Sequence, residues 1–242
     1  MEYNRNERGD SVPKVIFMDV DDTLLSFDGY VKEAMKNGFA AFGLTDYEDW
    51  MFDTFTKIND GLWLRIEEGT LTFEELKKIR WNIIFKELDI PFDGPTFETY
   101  FRNQLYNSAI PEPGAMEILD YLHGKYILCA ASNGPFEQQK HRLEIAGMMP
   151  FFDHLFVSEN IGAQKPSKDF FDEAFRRLNE GQKEPLGSKD GVMIGDSLTS
   201  DMAGGKEYGM MTCFYNRKNR EIPKGKEPDI VVRALAELIR YF

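Results

Sequence analysis

Short apolar runs, each ending abruptly in polar residues, organise this chain. Val15–Met18 (VIFM) stops at Asp19, and Tyr126–Ala131 (YILCAA) stops at Ser132-Asn133. His154–Val157 (HLFV) stops at Ser158-Glu159, and Gly191–Gly195 (GVMIG) stops at Asp196. Met211–Tyr215 and Ile230–Val232 repeat the pattern. Apolar runs of this length, bounded by polar residues, read as buried strands. Between them, helical patterns cover Ala115–His123, Phe136–Ala146, Lys168–Leu178, about Ser200 to Tyr208, and Ala234–Tyr241. Strands alternating with helices predict an α/β fold with a Rossmann-like, doubly wound parallel sheet.

About a hundred residues with helical patterning separate the first strand from the second. Tyr30–Phe42 ends at Gly43, a suitable C-cap, and Asp46–Ile66 follows. Thr72-x-x-Glu75 has the signature of a capping box opening a third helix, and Pro95–Tyr106 makes a fourth. The predicted organisation is an N-terminal arm at 1–13, an α/β core of 14–28 and 108–242, and a smaller all-helical domain at 29–107.

In a parallel sheet the polar residues that follow the strands gather at one edge, where open α/β folds place their sites. Asp19, Asp21 and Thr23 follow the first strand, Ser132-Asn133 the second, and Asp196 a later one, with Asp201 five residues on. Lys165-Pro166 lies in the loop after His154–Val157. Two acids with nothing basic between them repel, which suits a divalent cation or a pair whose protonation is split. Singly, each residue has an ordinary structural reading: an Asx turn at Asp21, a surface lysine at Lys165, a helix cap at Asp196. Asp22 and Asp28 read as solvated or capping charges.

The assortment resembles the haloacid dehalogenase-like superfamily in its aspartyl-phosphatase branch. Its four motifs stand in order as Asp19-x-Asp21-x-Thr23, Ser132-Asn133, Lys165-Pro166 and Gly195-Asp196-x-x-x-x-Asp201. VIFMDVDDTLLSFD, INDGLWLRIEEG (58–69) and NIGAQKPSKDFF (160–171) are similar to bacterial 5′-nucleotidases acting on pyrimidine nucleoside monophosphates. The resemblance implies a Mg²⁺-dependent phosphomonoester hydrolase. Asp19 would be the nucleophile, Asp21 the general acid and base, and Thr23 an orienting residue. Ser132, the amides around Asn133, and Lys165 would bind phosphate. Asp19, Asp196 and the backbone carbonyl of Asp21 would hold the metal, with Asp201 behind them. The family also places an all-helical cap where the helical block falls.

Core motifs read only phosphate, so the rest of the substrate would be read by the cap. Asn59 and Trp63, one helical turn apart, could meet a base or sugar, although a tryptophan at such a position more commonly belongs to the cap's own core. Arg65 and Arg80 are substrate contacts or surface charges. Sugar phosphates, phosphoglycolate and acylneuraminate phosphates remain open as substrates. A phosphomutase shares the core residues, and a catalytically silent binding protein shares the fold. A dehalogenase would leave Asp21 surplus, since it has no alkoxide to protonate.

Composition narrows the partners. The 242 residues carry 29 Lys plus Arg against 41 Asp plus Glu, a net charge of −12, which argues against nucleic acid polymers as partners. No segment approaches a membrane span, and the N-terminus lacks an apolar signal core, so a cytoplasmic protein without membrane association is expected. Cys129 and Cys213 fall in predicted strands and read as buried free thiols. Monomer and homodimer both remain open.

Overall fold

The strand β1 (Val15–Met18) has four apolar side chains in succession because a central parallel strand is covered on both faces. A computed structural model describes residues 13–242, so all but the last residue of the expected N-terminal arm lies outside the described residues. In it β1 is flanked by β2 (Ile127–Ser132) and β4 (Gly191–Gly195). With β3 (His154–Val157), β5 (Met211–Tyr215) and β6 (Ile230–Val232) they form one sheet in the order β3-β2-β1-β4-β5-β6, every pairing parallel.

Side chains alternate between the sheet's two faces. Ile16, Met18, Leu128, Ala130, Val192 and Ile194 join one core with α5 (Ala115–Leu122). Val15, Phe17, Cys129, Ala131 and Met193 join the other, against Phe170, Phe171 and Phe175 of α8 (Lys168–Leu178). Both cysteines are free and buried. The chain crosses back over β1 between β3 and β4, so the order reverses there. That reversal opens a crevice at the strands' carboxyl ends.

The described chain divides into two compact units, one containing 13–26 and 111–242 and the other 27–110. The second consists of α1 (Phe27–Ala41), α2 (Asp49–Glu67), α3 (Phe73–Glu87) and α4 (Gly94–Tyr106). Thr72 and Glu75 close the capping box that their spacing predicts: each side chain accepts from the other's backbone N–H. The unit's core is aromatic, with Trp81 lying 4.3 Å from Phe97, 5.2 Å from Phe101 and 5.5 Å from Phe55 between ring centroids. Gly38 lets α1 approach α4 closely, since a Cβ there would meet the Phe97 and Tyr100 rings at 2.7 Å.

Two local readings need correction. Ala234–Tyr241 is not an α-helix but a 3-10 turn at Leu235–Arg240. Leu235 and Leu238 are both fully buried, and i,i+3 residues eclipse on that tighter turn. The helix expected from Ser200 opens as a π-turn at Leu198–Met202 and becomes α9 only over Ala203–Tyr208. After β3, Ser158–Ile161 forms a single helical turn, α7; α6 is Phe136–Ile145.

Candidate active site

Asp19 is the first residue beyond β1, and its backbone N–H donates to Ile194 O of β4 at 2.9 Å. That bond sets its carboxylate at the crevice between the two strands. The Lys165 ammonium, 1% exposed, donates to Asp19 Oδ1 at 2.8 Å, Asp201 Oδ1 at 2.7 Å and Ala131 O at 2.6 Å. Its three N–H donors thus have three acceptors. Ser197 N–H donates to the other Asp201 oxygen at 3.1 Å.

Lys165 is held by its backbone. The Asn133 side chain donates to Lys165 O at 2.8 Å and accepts from Lys165 N–H at 2.9 Å, so it grips the loop as a second peptide would. The Lys165-Pro166 bond is cis. Gly204 of α9 closes on it, since a Cβ there would lie 2.9 Å from Pro166 Cα. Asn133, expected at the phosphate site through the amides near it, therefore uses its side chain to fix the lysine.

Asp21 is held by residues that the sequence motifs do not include. Arg142 Nη1 donates to Asp21 Oδ1 at 2.6 Å, and Gln139 Nε2 donates to Asp21 Oδ2 at 2.6 Å. Gln139 Nε2 also reaches Ser132 Oγ at 2.7 Å, and its Oε1 accepts from Arg142 at 3.0 Å. Ser132 Oγ accepts from Gly134 N–H as well, at 3.1 Å, so its own proton is left to donate elsewhere. Gln139 is fully buried and Arg142 is 1% exposed. The signal was the inner face of α6, which carries Gln139 and Arg142 where an amphipathic helix would place apolar residues. Thr23, expected to orient Asp21, is fully buried, and its hydroxyl has no hydrogen-bond partner among the described residues.

Asp22 is neither solvated nor a cap. It is buried with φ 57°, and Arg217 Nη2 donates to its Oδ1 at 2.6 Å while Lys218 Nζ lies 3.4 Å from Oδ2. Arg217 also pairs with Glu112 at 3.4 Å. Asp196, just past β4, has Arg220 at 3.8 Å as its nearest cation among the described residues.

Carboxylate oxygens of Asp19, Asp196 and Asp201 lie within 4.8 Å of one another. Burial pushes the Asp19 carboxyl up to about 7, against the pull of Lys165 and with added repulsion from Asp201 and Asp21. Burial, with repulsion from Asp22, Asp19 and Asp201, holds Asp196 well above the carboxylate range, and Arg220 only partly opposes this. Burial alone would lower Lys165, but Asp19 and Asp201 outweigh it and hold its proton above the ordinary lysine range. The three carboxylates lie together while the Lys165 ammonium bonds only two of them, Asp19 and Asp201, which leaves excess negative charge in a buried place. Asp201 already has partners on both oxygens, whereas Asp19 Oδ2 accepts no hydrogen bond among the described residues. An oxygen-ligated divalent cation fits this donor set, with Asp19 and Asp196 supplying carboxylates and Asp201 behind.

Within the helical unit, the residues expected to read the substrate have partners of their own. Asn59 is buried, and its Oδ1 accepts from Arg80 Nη1 at 3.1 Å. Arg80 is not a surface charge: it is 3% exposed and donates twice to Glu98, at 3.0 and 2.6 Å. Trp63 is half-buried and packs on Phe73, with 5.7 Å between ring centroids.

A 3-2-1-4-5-6 parallel sheet with an acidic cluster and a buried lysine at its switch point defines a Rossmann-like protein with an acid-lined site. Residues 13–209 match the haloacid dehalogenase-like hydrolase family, and the chain belongs to it. It is 32% identical to the HAD-hydrolase YfnB of Bacillus subtilis over 93% of each chain. The pyrimidine 5′-nucleotidase YjjG of Escherichia coli is 30% identical, covering 92% of this chain and 95% of that one. The pyrimidine 5′-nucleotidase PynA of Streptococcus pneumoniae is also 30% identical, over 93% of each. A crystal structure of YfnB bound to magnesium superposes with a TM-score of 0.86, covering 96% of this chain and 99% of that one. Among the described residues no helix is long and apolar enough to cross a membrane.

Proposed function

We propose that this hydrolase is a Mg²⁺-dependent phosphomonoesterase acting through an aspartyl-phosphate, with pyrimidine nucleoside monophosphates as its substrates. The observation that carries the reading is Asp21. Arg142 and Gln139 hold a second carboxyl two residues beyond Asp19, apart from the Lys165 cluster. Displacement of a halide has no use for such a group, whereas expulsion of an alkoxide needs a proton donor.

The Asp19 carboxylate attacks phosphorus, and the bond from phosphorus to the ester oxygen breaks. Asp21 gives its proton to the departing alkoxide. Water then attacks phosphorus and returns a proton to Asp21, the bond from Asp19 to phosphorus breaks, and inorganic phosphate leaves. Division of one displacement into two is the gain from a covalent nucleophile. Lys165 keeps Asp19 in place and supplies positive charge toward the incoming phosphate. Ser132, whose oxygen already accepts two hydrogen bonds, donates to a phosphoryl oxygen. Mg²⁺, held by Asp19, Asp196 and the Asp21 carbonyl, would neutralise charge on the transferring group.

Similarity to YjjG and PynA supports the choice of substrate. Phosphate release from UMP, dUMP, dTMP, purine monophosphates, hexose phosphates and phosphoglycolate, with Mg²⁺ and with chelator, tests the proposal. Metal-dependent release led by the pyrimidine nucleotides is expected. Release led by another ester would overturn the substrate assignment, and absence of release from all of them would overturn the phosphatase assignment.

A further inference from the structure

A buried arginine and a buried glutamine on the inner face of a helix are unusual unless their polar atoms serve something. Here both serve one carboxylate. Gln139 and Arg142 stand three residues apart on α6, on the same face. Arg142 Nη1 takes one oxygen of Asp21 at 2.6 Å and Gln139 Nε2 takes the other at 2.6 Å. The two also bond each other at 3.0 Å, and Gln139 reaches Ser132 Oγ at 2.7 Å.

Surrounding residues are shaped to this arrangement. A Cβ at position 134 would lie 2.6 Å from Gln139 Nε2, so the glycine of Ser132-Asn133-Gly134 makes room for the amide. The Asp21 side chain is about one-third exposed while the Arg142 side chain is 1% exposed, so the carboxyl faces outward and its support stays inside. Thr23, two residues along, contributes no hydrogen bond among the described residues.

We infer that Gln139 and Arg142 are the positioning residues of the proton-transfer step, aiming Asp21 at the leaving oxygen and tying it to Ser132. This rests on the aspartyl-phosphatase reading. Neither residue need touch substrate. Together they make the Asp21 carboxyl and the Ser132 hydroxyl one rigid unit. Misplacement of a reacting group by about 1 Å can cost on the order of 10²-fold in rate.

The test compares kcat/KM for UMP with kcat/KM for p-nitrophenyl phosphate in the wild type, Arg142→Met, Gln139→Met and Arg142→Lys. This constant covers events up to release of the alcohol. Nucleoside alkoxide must be protonated to leave, whereas nitrophenolate leaves without help. Both substrates are run on one preparation, so a smaller folded fraction cancels from their ratio.

Arg142→Met is expected to lower the ratio of UMP to p-nitrophenyl phosphate by about 10²-fold, the scale of general acid catalysis. Gln139→Met should lower it by about tenfold, having kept the arginine contact, and Arg142→Lys should recover part of the arginine effect. Because Asp21 also activates water in the second step, Arg142→Met should show a burst of nitrophenolate near one per enzyme. Equal losses on the two esters, with the wild type active on both, would overturn the positioning role alone. A wild type inactive on both would overturn the phosphatase reading as well.

Discussion

Gly195 and Asp201 are in such close contact that a Cβ on residue 195 would overlap the Asp201 carboxyl group. Asp201 in turn accepts from Lys165 at 2.7 Å, and Lys165 from there reaches Asp19 at 2.8 Å. The missing side chain at the end of β4 thus sets the position of the Asp19 carboxylate through two side chains. Gly195→Ala should fold with a penalty of about 1–3 kcal/mol for overpacking. Its phosphatase activity should fall by on the order of 10²-fold as the cluster shifts. Urea denaturation and kcat/KM on one preparation check both halves.

Lys165 is the one cation at bonding distance from Asp19 and Asp201 among the described residues. Lys165→Met leaves buried carboxylates facing one another, and loss of a buried charge partner costs about 3–5 kcal/mol. The penalty arises from ionised acids, so it should shrink as pH falls from 8 to 5. Denaturation midpoints of variant and wild type at the two pH values read this directly.

Raised carboxyls give the metal-free protein a definite pH dependence. Asp19 is pushed up to about 7, above its ordinary value of 3.8, so the folded chain binds that proton more tightly than the unfolded chain. Its contribution is fully present below about pH 4 and is lost as pH rises through about 7, since stability falls with pH where the folded state holds more protons. Mg²⁺ bound at Asp19 would replace the proton, so its stabilising effect should be larger at pH 8 than at pH 5. Thermal melts with Mg²⁺ and with chelator at both pH values measure it.

In the helical unit, Arg80 and Glu98 form a buried bidentate pair with Asn59 as the third member. Arg80→Met should destabilise by about 3–5 kcal/mol because Glu98 is left buried without its cation. Adding Glu98→Leu should return much of that loss, since paired apolar residues can replace a buried ion pair at little cost. A double-mutant cycle by chemical denaturation gives both numbers.

Much of this arrangement is legible along the chain. Apolar runs mark all six strands, and the polar residues after β1, β2 and β4 reach one edge because parallel strands share a direction. What stayed hidden is pairing across long separations. Asp21 meets Arg142 across 121 residues and Gln139 across 118, and Asp22 meets Arg217 across 195. No local pattern encodes those distances. The polar inner face of α6 was a visible departure from amphipathic order, and departures of that kind gather at functional sites. Asn59 is a similar case: its helical spacing to Trp63 was visible, but the bond its oxygen accepts from Arg80, 21 residues away, was not.

The proposed reaction passes through a covalent bond between Asp19 and the transferred phosphoryl group. Acid quenching during turnover of the best phosphomonoester, followed by peptide mapping by mass spectrometry, tests it most directly. A phosphoryl adduct confined to Asp19 is expected, absent from Asp19→Asn, with oxygen from ¹⁸O-water entering the released phosphate and not the Asp19 carboxyl. Phosphate release with no adduct on Asp19, or with ¹⁸O in its carboxyl, would contradict it.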